Sequence, residues 1–136
     1  MRPRWVVGAA VLAAVAFGVV TLVALEGGEV VQLRTVTSDG SLRTTRTWVA
    51  DDEGATWIEA ANPQRPFLLD LEERPVVSLV RGGAVQRLRA VPVPGDAPHR
   101  RIRALLRAKY GWADAWIGLL ADTSASVAVR LEPAPG

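Results

Sequence analysis

From Trp5 to Leu25 the chain reads WVVGAAVLAAVAFGVVTLVAL, a run with no charge and no polar stripe. A soluble helix carries a polar face, whereas a helix surrounded by lipid is apolar all round. At about 1.5 Å per residue the run is roughly 30 Å long, the thickness of a bilayer's hydrocarbon core. The pattern predicts a transmembrane anchor over residues 5–25, with Trp5 at the headgroup edge. Past Gly27-Gly28, a hinge-like linker over 26–28, the pattern changes from continuous to alternating. Val31, Leu33 and Thr35 alternate with polar neighbours in a first strand, Glu29 to Thr37. Ser38-Asp39-Gly40 turns it into a second, Leu42 to Ala50, and Asp51 to Gly54 turns that into a third, Ala55 to Ala60.

Asn62 to Pro66 interrupts this meander, and Phe67 to Glu73 predicts two helical turns stopped by Pro75. Two further strands, Val76 to Arg81 and Ala84 to Val93, flank a Gly82-Gly83 hairpin turn. Asp96 is placed to cap a helix whose stripe is Ile102, Leu105 and Leu106, with Arg100, Arg103 and Arg107 on the solvated face. After Gly111 a second short helix runs from Trp112 to Leu120, and Ser126 to Leu131 alternates as a last strand. The fold class expected is mainly β (α+β): a transmembrane helix followed by a six-stranded antiparallel barrel with packed helices. The corresponding division is a stub at 1–4, the anchor at 5–25, the linker at 26–28, a barrel domain at 29–133 and a fraying tail at 134–136.

Charge orients the anchor. Arg2 and Arg4 precede the apolar run, while Glu26 and Glu29 precede the first later base, Arg34. The positive-inside bias favours a cytoplasmic N-terminus and an extracytoplasmic domain, with a cytoplasmic-facing domain as the alternative. A cleaved secretory signal is the rival reading, but cutting after Ala14-Val15-Ala16 would leave FGVVTLVAL on the mature chain. All 14 acids and all but two of the 16 bases lie after residue 25, so the domain is neutral. That balance argues against nucleic acid as a partner and leaves the lipid bilayer as the expected one. The chain has no cysteine, which excludes disulfides, thiolate metal sites and cysteine nucleophiles.

No metal site is expected, because His99 is the only histidine; it reads as a solvated residue near a helix start. The Walker, dinucleotide-binding and nucleophile-elbow glycine motifs are not present in the sequence. Asp51, Asp52 and Glu53 are consecutive in a turn, which suits a solvated tip rather than two opposed catalytic carboxylates. Two segments carry candidate chemistry. Arg43-Thr44-Thr45-Arg46 offers two guanidiniums and two hydroxyls, the donor set of an anion clamp or of an ordinary polar sheet face. Strand alternation sends Arg43 and Thr45 to one face and Thr44 and Arg46 to the other. Asn62-Pro63-Gln64-Arg65-Pro66-Phe67 places amide donors, a cation and a ring directly after a strand, as a binding loop or as a simple turn.

The run VVQLRTVTSDGSLRTTRTWV, the proline loop after the third strand and LEERPVVSLVRGG together resemble the split β-barrel of flavin-binding proteins. More narrowly they resemble the deazaflavin-dependent nitroreductase (quinone reductase) family, which uses reduced coenzyme F-420. The resemblance covers residues 29 to 131. It implies that Arg43, Thr44, Thr45 and Arg46 hold the cofactor's phosphate, that Asn62, Gln64 and Arg65 hold more of it, and that the cofactor is F-420 or FMN. It departs from the family at Asp39, where a cation would help an anion, and at Phe67, where a Trp is usual. Tyr110, Trp112 and Trp116 in RAKYGWADAWIGLL then read as a substrate-side cap or as core aromatics. The function implied is a membrane-anchored oxidoreductase passing a hydride to a lipophilic acceptor such as a quinone. A non-catalytic binding domain tethered to the membrane is the alternative.

Overall fold

The computed structural model describes residues 3–135; Met1, Arg2 and Gly136, and with them part of the expected stub and tail, lie outside. Helix α1 (Arg4–Glu26) is followed by strands β1 (Val30–Val36), β2 (Leu42–Trp48), β3 (Ala50–Asp52) and β4 (Ala55–Ala60), then helix α2 (Pro66–Glu73). Strands β5 (Val76–Arg81) and β6 (Ala84–Val93), helices α3 (Asp96–Tyr110) and α4 (Trp112–Leu120), and strand β7 (Val127–Pro133) complete the chain. The strands form one antiparallel sheet in the order β2-β1-β5-β6-β7-β4-β3. It is a curled half-barrel with four helices, the α+β antiparallel barrel that the alternation predicts. Helix α1 is long and apolar enough to cross a membrane, and its only fully buried residue is Ala24.

The strand count is seven rather than six because the second expected strand divides at Val49. Trp48 still pairs with Val30 of β1, whereas Ala50 already pairs with Trp57 of β4. One residue therefore joins the two opposite edges of the sheet, which forces the sheet to curl until those edges meet. Val49 is completely buried and lies between ladders, so its backbone groups need partners from elsewhere. Tyr110, the last residue of α3, supplies them. Its hydroxyl accepts from the Val49 N–H at 3.1 Å and donates to the Glu29 carbonyl at 2.6 Å, while Lys109 Nζ donates to the Val49 carbonyl at 2.8 Å. Burial pushes the Tyr110 phenol above its ordinary range, so it stays protonated for this role.

The apolar residues divide accordingly. Leu33, Ile58, Leu79 and Val129 fill the barrel with Phe67, Leu68 and Leu71 of α2. Ile102, Leu106, Tyr110 and Ala113 pack with Ala24 and Ala50 between the barrel and the helices. Helix α3 starts at Gly95 (φ 117°), so Asp96 sits in its first turn instead of capping it. Gly111 (φ 55°) breaks α3 from α4.

The glycine pair after α1 is close-packed rather than a slack hinge. A Cβ on Gly28 would lie 2.9 Å from the Tyr110 ring, and one on Gly27 would lie 2.5 Å from the Val23 carbonyl oxygen.

Two ion networks hold the layers together. Arg81 binds Glu29 at 2.9 Å and Asp51 at 2.6 Å, and Lys109 binds Glu29 at 2.6 Å. Asp51 is thus engaged, in contrast to the solvated tip expected; its partner Arg81 lowers its pKa to about 2. Hydrogen bonds from Arg81 and then Lys109 lower that of Glu29. Arg103, expected on a solvated face, instead reaches Glu59 at 2.8 Å and the buried Asp114 at 2.5 Å. Burial opposes the Arg103 charge, but Glu59 and Asp114 outweigh it and hold its pKa above the ordinary value.

Replacing Tyr110 with Phe removes the only side-chain partner, among the described residues, of the buried Val49 N–H and should lower unfolding free energy by about 1–3 kcal/mol. Chemical denaturation of the detergent-solubilised chain, followed by tryptophan emission, measures this; an unchanged midpoint would show that Val49 needs no hydroxyl. The acid dependence is equally specific. Glu29 and Asp51 have folded pKa values below their unfolded ones, so their contribution is complete above about pH 5 and is lost as pH falls toward about 2. Both are substantially solvated, which keeps the effect modest. The variant Arg81→Met should lose less stability between pH 6 and 2.5 than the parent chain, and parallel pH profiles would exclude this network as the cause.

Candidate functional site

The strand switch also opens a cleft. Beyond Val49, β4 runs back past β2 without pairing to it, because β2 follows β1 and β4 follows β7. The gap between the diverging strands is a cleft of about 390 Å³, within the size range of small-molecule sites. Thr45 to Trp48 line one side, Glu59 and Ala61 the other, and Phe67 and Arg65 lie where α2 begins. Leu25 and Glu26 of α1 and Ile117 of α4 complete the wall. A smaller groove along the outer edge of β2 adds Arg43, Thr44 and Pro66 to Thr45, Arg46, Arg65 and Phe67.

The Arg/Thr cluster and Arg65 therefore come together. Arg43 and Arg46 were expected on opposite faces of the strand, yet both line the same groove, because β2 is an edge strand and its free edge borders both faces. Each is already paired. Arg43 Nε donates to the buried Asp70 carboxylate at 2.8 Å, and Asp70 also accepts from Thr35 Oγ1 at 2.6 Å. Arg46 Nη2 donates to Glu26 at 2.5 Å, and that hydrogen bond holds its guanidinium pKa above the ordinary value. Arg65 forms no ion pair among the described residues and lines both the cleft and the groove. Glu59 is engaged from behind, by Arg103 and by the Ser126 hydroxyl at 2.7 Å. No cluster of groups able to hold a metal ion exists among the described residues.

The remaining expected site residues lie elsewhere. Asn62 Oδ1 accepts from the Gln64 N–H at 3.0 Å, a turn that shapes the loop and leaves both side chains outside the cleft. Tyr110 is committed to Val49, and its ring stacks on Trp48 at 4.2 Å and 8°. Trp116 packs on α1, with Nε1 donating to Thr21 Oγ1 at 3.0 Å and its ring 5.5 Å from Phe17. Trp112 points to solvent. His99 is half-buried rather than solvated, with Nδ1 at 3.0 Å from both the Ser126 carbonyl and its hydroxyl.

Trp48, Phe67 and the end of α1 supply the cleft's apolar wall, and the sequence did not mark Glu26, Trp48 or Ile117 for it. Trp48 Nε1 donates to the Leu25 carbonyl at 3.0 Å, satisfying one of the acceptors that every helix leaves free at its C-terminus.

No family model matches the chain, and no curated protein matches it in sequence. Solved structures do. An F-420-H2-dependent reductase, FDR-A, superposes with a TM-score of 0.56 at 16% identity, over 76% of this chain and 93% of that one. The heme storage protein HutZ of Vibrio cholerae gives 0.60 at 17% identity over 83% and 87%. A Listeria innocua protein named for pyridoxamine 5'-phosphate oxidase gives 0.59 at 15% identity over 84% and 90%. At such identities the fold is what is shared, and this chain is a split β-barrel of the architecture found in those three proteins.

Proposed function

We propose that this chain is a membrane-tethered split-barrel oxidoreductase that binds a flavin or deazaflavin in the cleft between β2 and β4. One observation carries the reading: the wall of that cleft includes both the Arg46/Arg65 cations and the last residues of the apolar helix α1. The donor set fits an anionic aromatic cofactor. Trp48, Phe67 and Ile117 offer an apolar bed for a fused ring. The free Arg65 guanidinium and the Thr45 and Thr47 hydroxyls offer donors for phosphate. When bound in its reduced form, such a group would supply a hydride, which with one proton from water would reduce a quinone to its quinol and leave the group oxidised. The protein positions the reactants, excludes water and sets the local charge.

The lipophilic acceptor follows from α1. If α1 crosses the bilayer, Leu25 and Glu26 hold the cleft at the membrane surface, where a quinone dissolved in the acyl region is within reach. A second reading has its own support. Two of the three arginines at the site are already neutralised, Arg43 by Asp70 and Arg46 by Glu26, as suits a tethered binding domain without a cofactor.

Titration of the detergent-solubilised full chain with F-420, FMN and haem separates the two readings. Saturable binding of F-420 or FMN supports the enzyme, and failure of all three overturns it. In the binding-competent case Arg65→Ala should weaken affinity by roughly tenfold to a hundredfold, the worth of about 1.5–3 kcal/mol for a charged hydrogen bond. Glu26→Gln, which releases Arg46, should tighten it. Unchanged affinity on both substitutions would place the phosphate elsewhere. Orientation is tested separately: with the N-terminus cytoplasmic, alkaline phosphatase fused after Gly136 should be active, and a dark phosphatase with a bright fluorescent fusion would put the cleft in the cytosol.

A further inference from the structure

Helix α4 leaves apolar surface uncovered on either side of Trp116, which packs on α1. Trp112, Leu119 and Leu120 lie on one side of this nine-residue helix, at i, i+7 and i+8, and Leu119 is 82% exposed. Charged and polar groups are missing from that side; the one acid of the helix, Asp114, is buried against Arg103 on the other. Leucines exposed singly are ordinary on soluble proteins, but here they adjoin the apolar surface of α1.

The contacts between the two helices set their direction. Ala113, near the start of α4, shares a buried cluster with Ala24 of α1. Trp116, one turn further along α4, meets Thr21 and Phe17, which lie one and two turns back along α1. The first turns of α4 therefore run antiparallel to α1.

Length makes this consequential. Helix α1 has 23 residues, about 34 Å, against a hydrocarbon core of about 30 Å. A spanning α1 leaves only a few ångströms of slack, so Glu26 stays close to the membrane surface. Phe17 is nine residues earlier, about 13 Å deeper along the axis. The Trp116 ring, which packs on Phe17, enters the bilayer with it.

We propose that α4 is a second membrane-contacting element, seated in the headgroup–acyl boundary of the leaflet next to the domain, with Trp112, Leu119 and Leu120 against lipid. This rests on the reading of α1 as a transmembrane helix. The turn after α4 is polar, with the Asp122 carboxylate accepting from the Ser124 N–H at 2.9 Å, and a polar turn belongs among headgroups, so in this proposal α4 lies obliquely in the boundary and does not follow α1 to its full depth. Ile117 of α4 and Leu25 of α1 line the cleft together, so a lipophilic molecule passes from the leaflet to the cleft between two lipid-contacting helices without crossing bulk water.

The native chain has no cysteine, so single cysteines report without background. Leu119→Cys on α4, Leu12→Cys in the middle of α1 and Ser38→Cys at the β1–β2 turn are labelled with an environment-sensitive fluorophore. The full-length variants are then reconstituted in phosphatidylcholine vesicles. Brominated phosphatidylcholine should remove most of the emission at positions 119 and 12 and leave position 38 bright, while iodide should quench only position 38. Lipid quenching at position 12 with iodide quenching at 119 overturns the α4 proposal and leaves the anchor standing. Protection at 119 from both quenchers means that a second protein copy covers this face, which also overturns it. Iodide quenching at position 12 defeats the transmembrane reading, and the α4 proposal with it.

Discussion

Val49 is the constraint on which the rest of the structure depends. A strand that changes partner within one residue must leave backbone groups without a ladder, and in a fully buried position those groups need bonds from side chains. Tyr110 and Lys109 give them, and both stand at the C-terminal end of α3. Barrel closure is thereby tied to the helical layer. The same Tyr110 ring stacks on Trp48 and lies against Gly28, while Trp48 caps the end of α1 through the Leu25 carbonyl. Closure of the sheet, docking of the apolar helix and opening of the cleft are consequences of one crossing.

The electrostatics follow this geometry. A domain with equal numbers of acids and bases can pair most of them, and the pairs that matter bridge layers. Arg103 draws Glu59 of β4 and Asp114 of α4 to one guanidinium on α3. A buried ion triad of this kind adds little net stability over apolar packing, but removing one partner leaves a buried charge uncompensated. Its value lies in register: it fixes α4 relative to β4, and so fixes the wall of the cleft that Ile117 supplies. Asp70 acts likewise under β2, where Thr35 and Arg43 both bind it.

Strands such as β1 and β5 were legible because one face of each is buried and alternation records burial directly. Val31, Leu33 and Thr35 are buried in that order along β1, as their spacing required. The switch at Val49 was not legible. The backbone stays extended through WVA, and only the partner changes, which no local pattern encodes. The same limit applied to the site. Alternation placed Arg43 and Arg46 on opposite faces but could not show that β2 is an edge, where both faces meet one groove. Nothing local marked Asp70, since its partners are 27 and 35 residues away. Arg103 fell on the polar side of its helix by period, while α4 and β4 converge on that side in three dimensions.

Docking of α1 bears on what the proposed membrane tether would do. A slack glycine linker would hold the domain near the bilayer while letting it tumble, which raises local concentration without fixing orientation. Here Gly27 and Gly28 are packed too tightly for a side chain, Glu26 is paired to Arg46, and Thr21 bonds Trp116. These contacts hold the end of the helix against the barrel. Under the proposed function, a lipophilic acceptor and the cleft would meet in a restricted set of orientations, and restricted orientation is the part of a reaction barrier that a protein removes without contributing a catalytic acid or base. That division of labour suits a site whose titratable side chains are, with the exception of Arg65, already bound to one another.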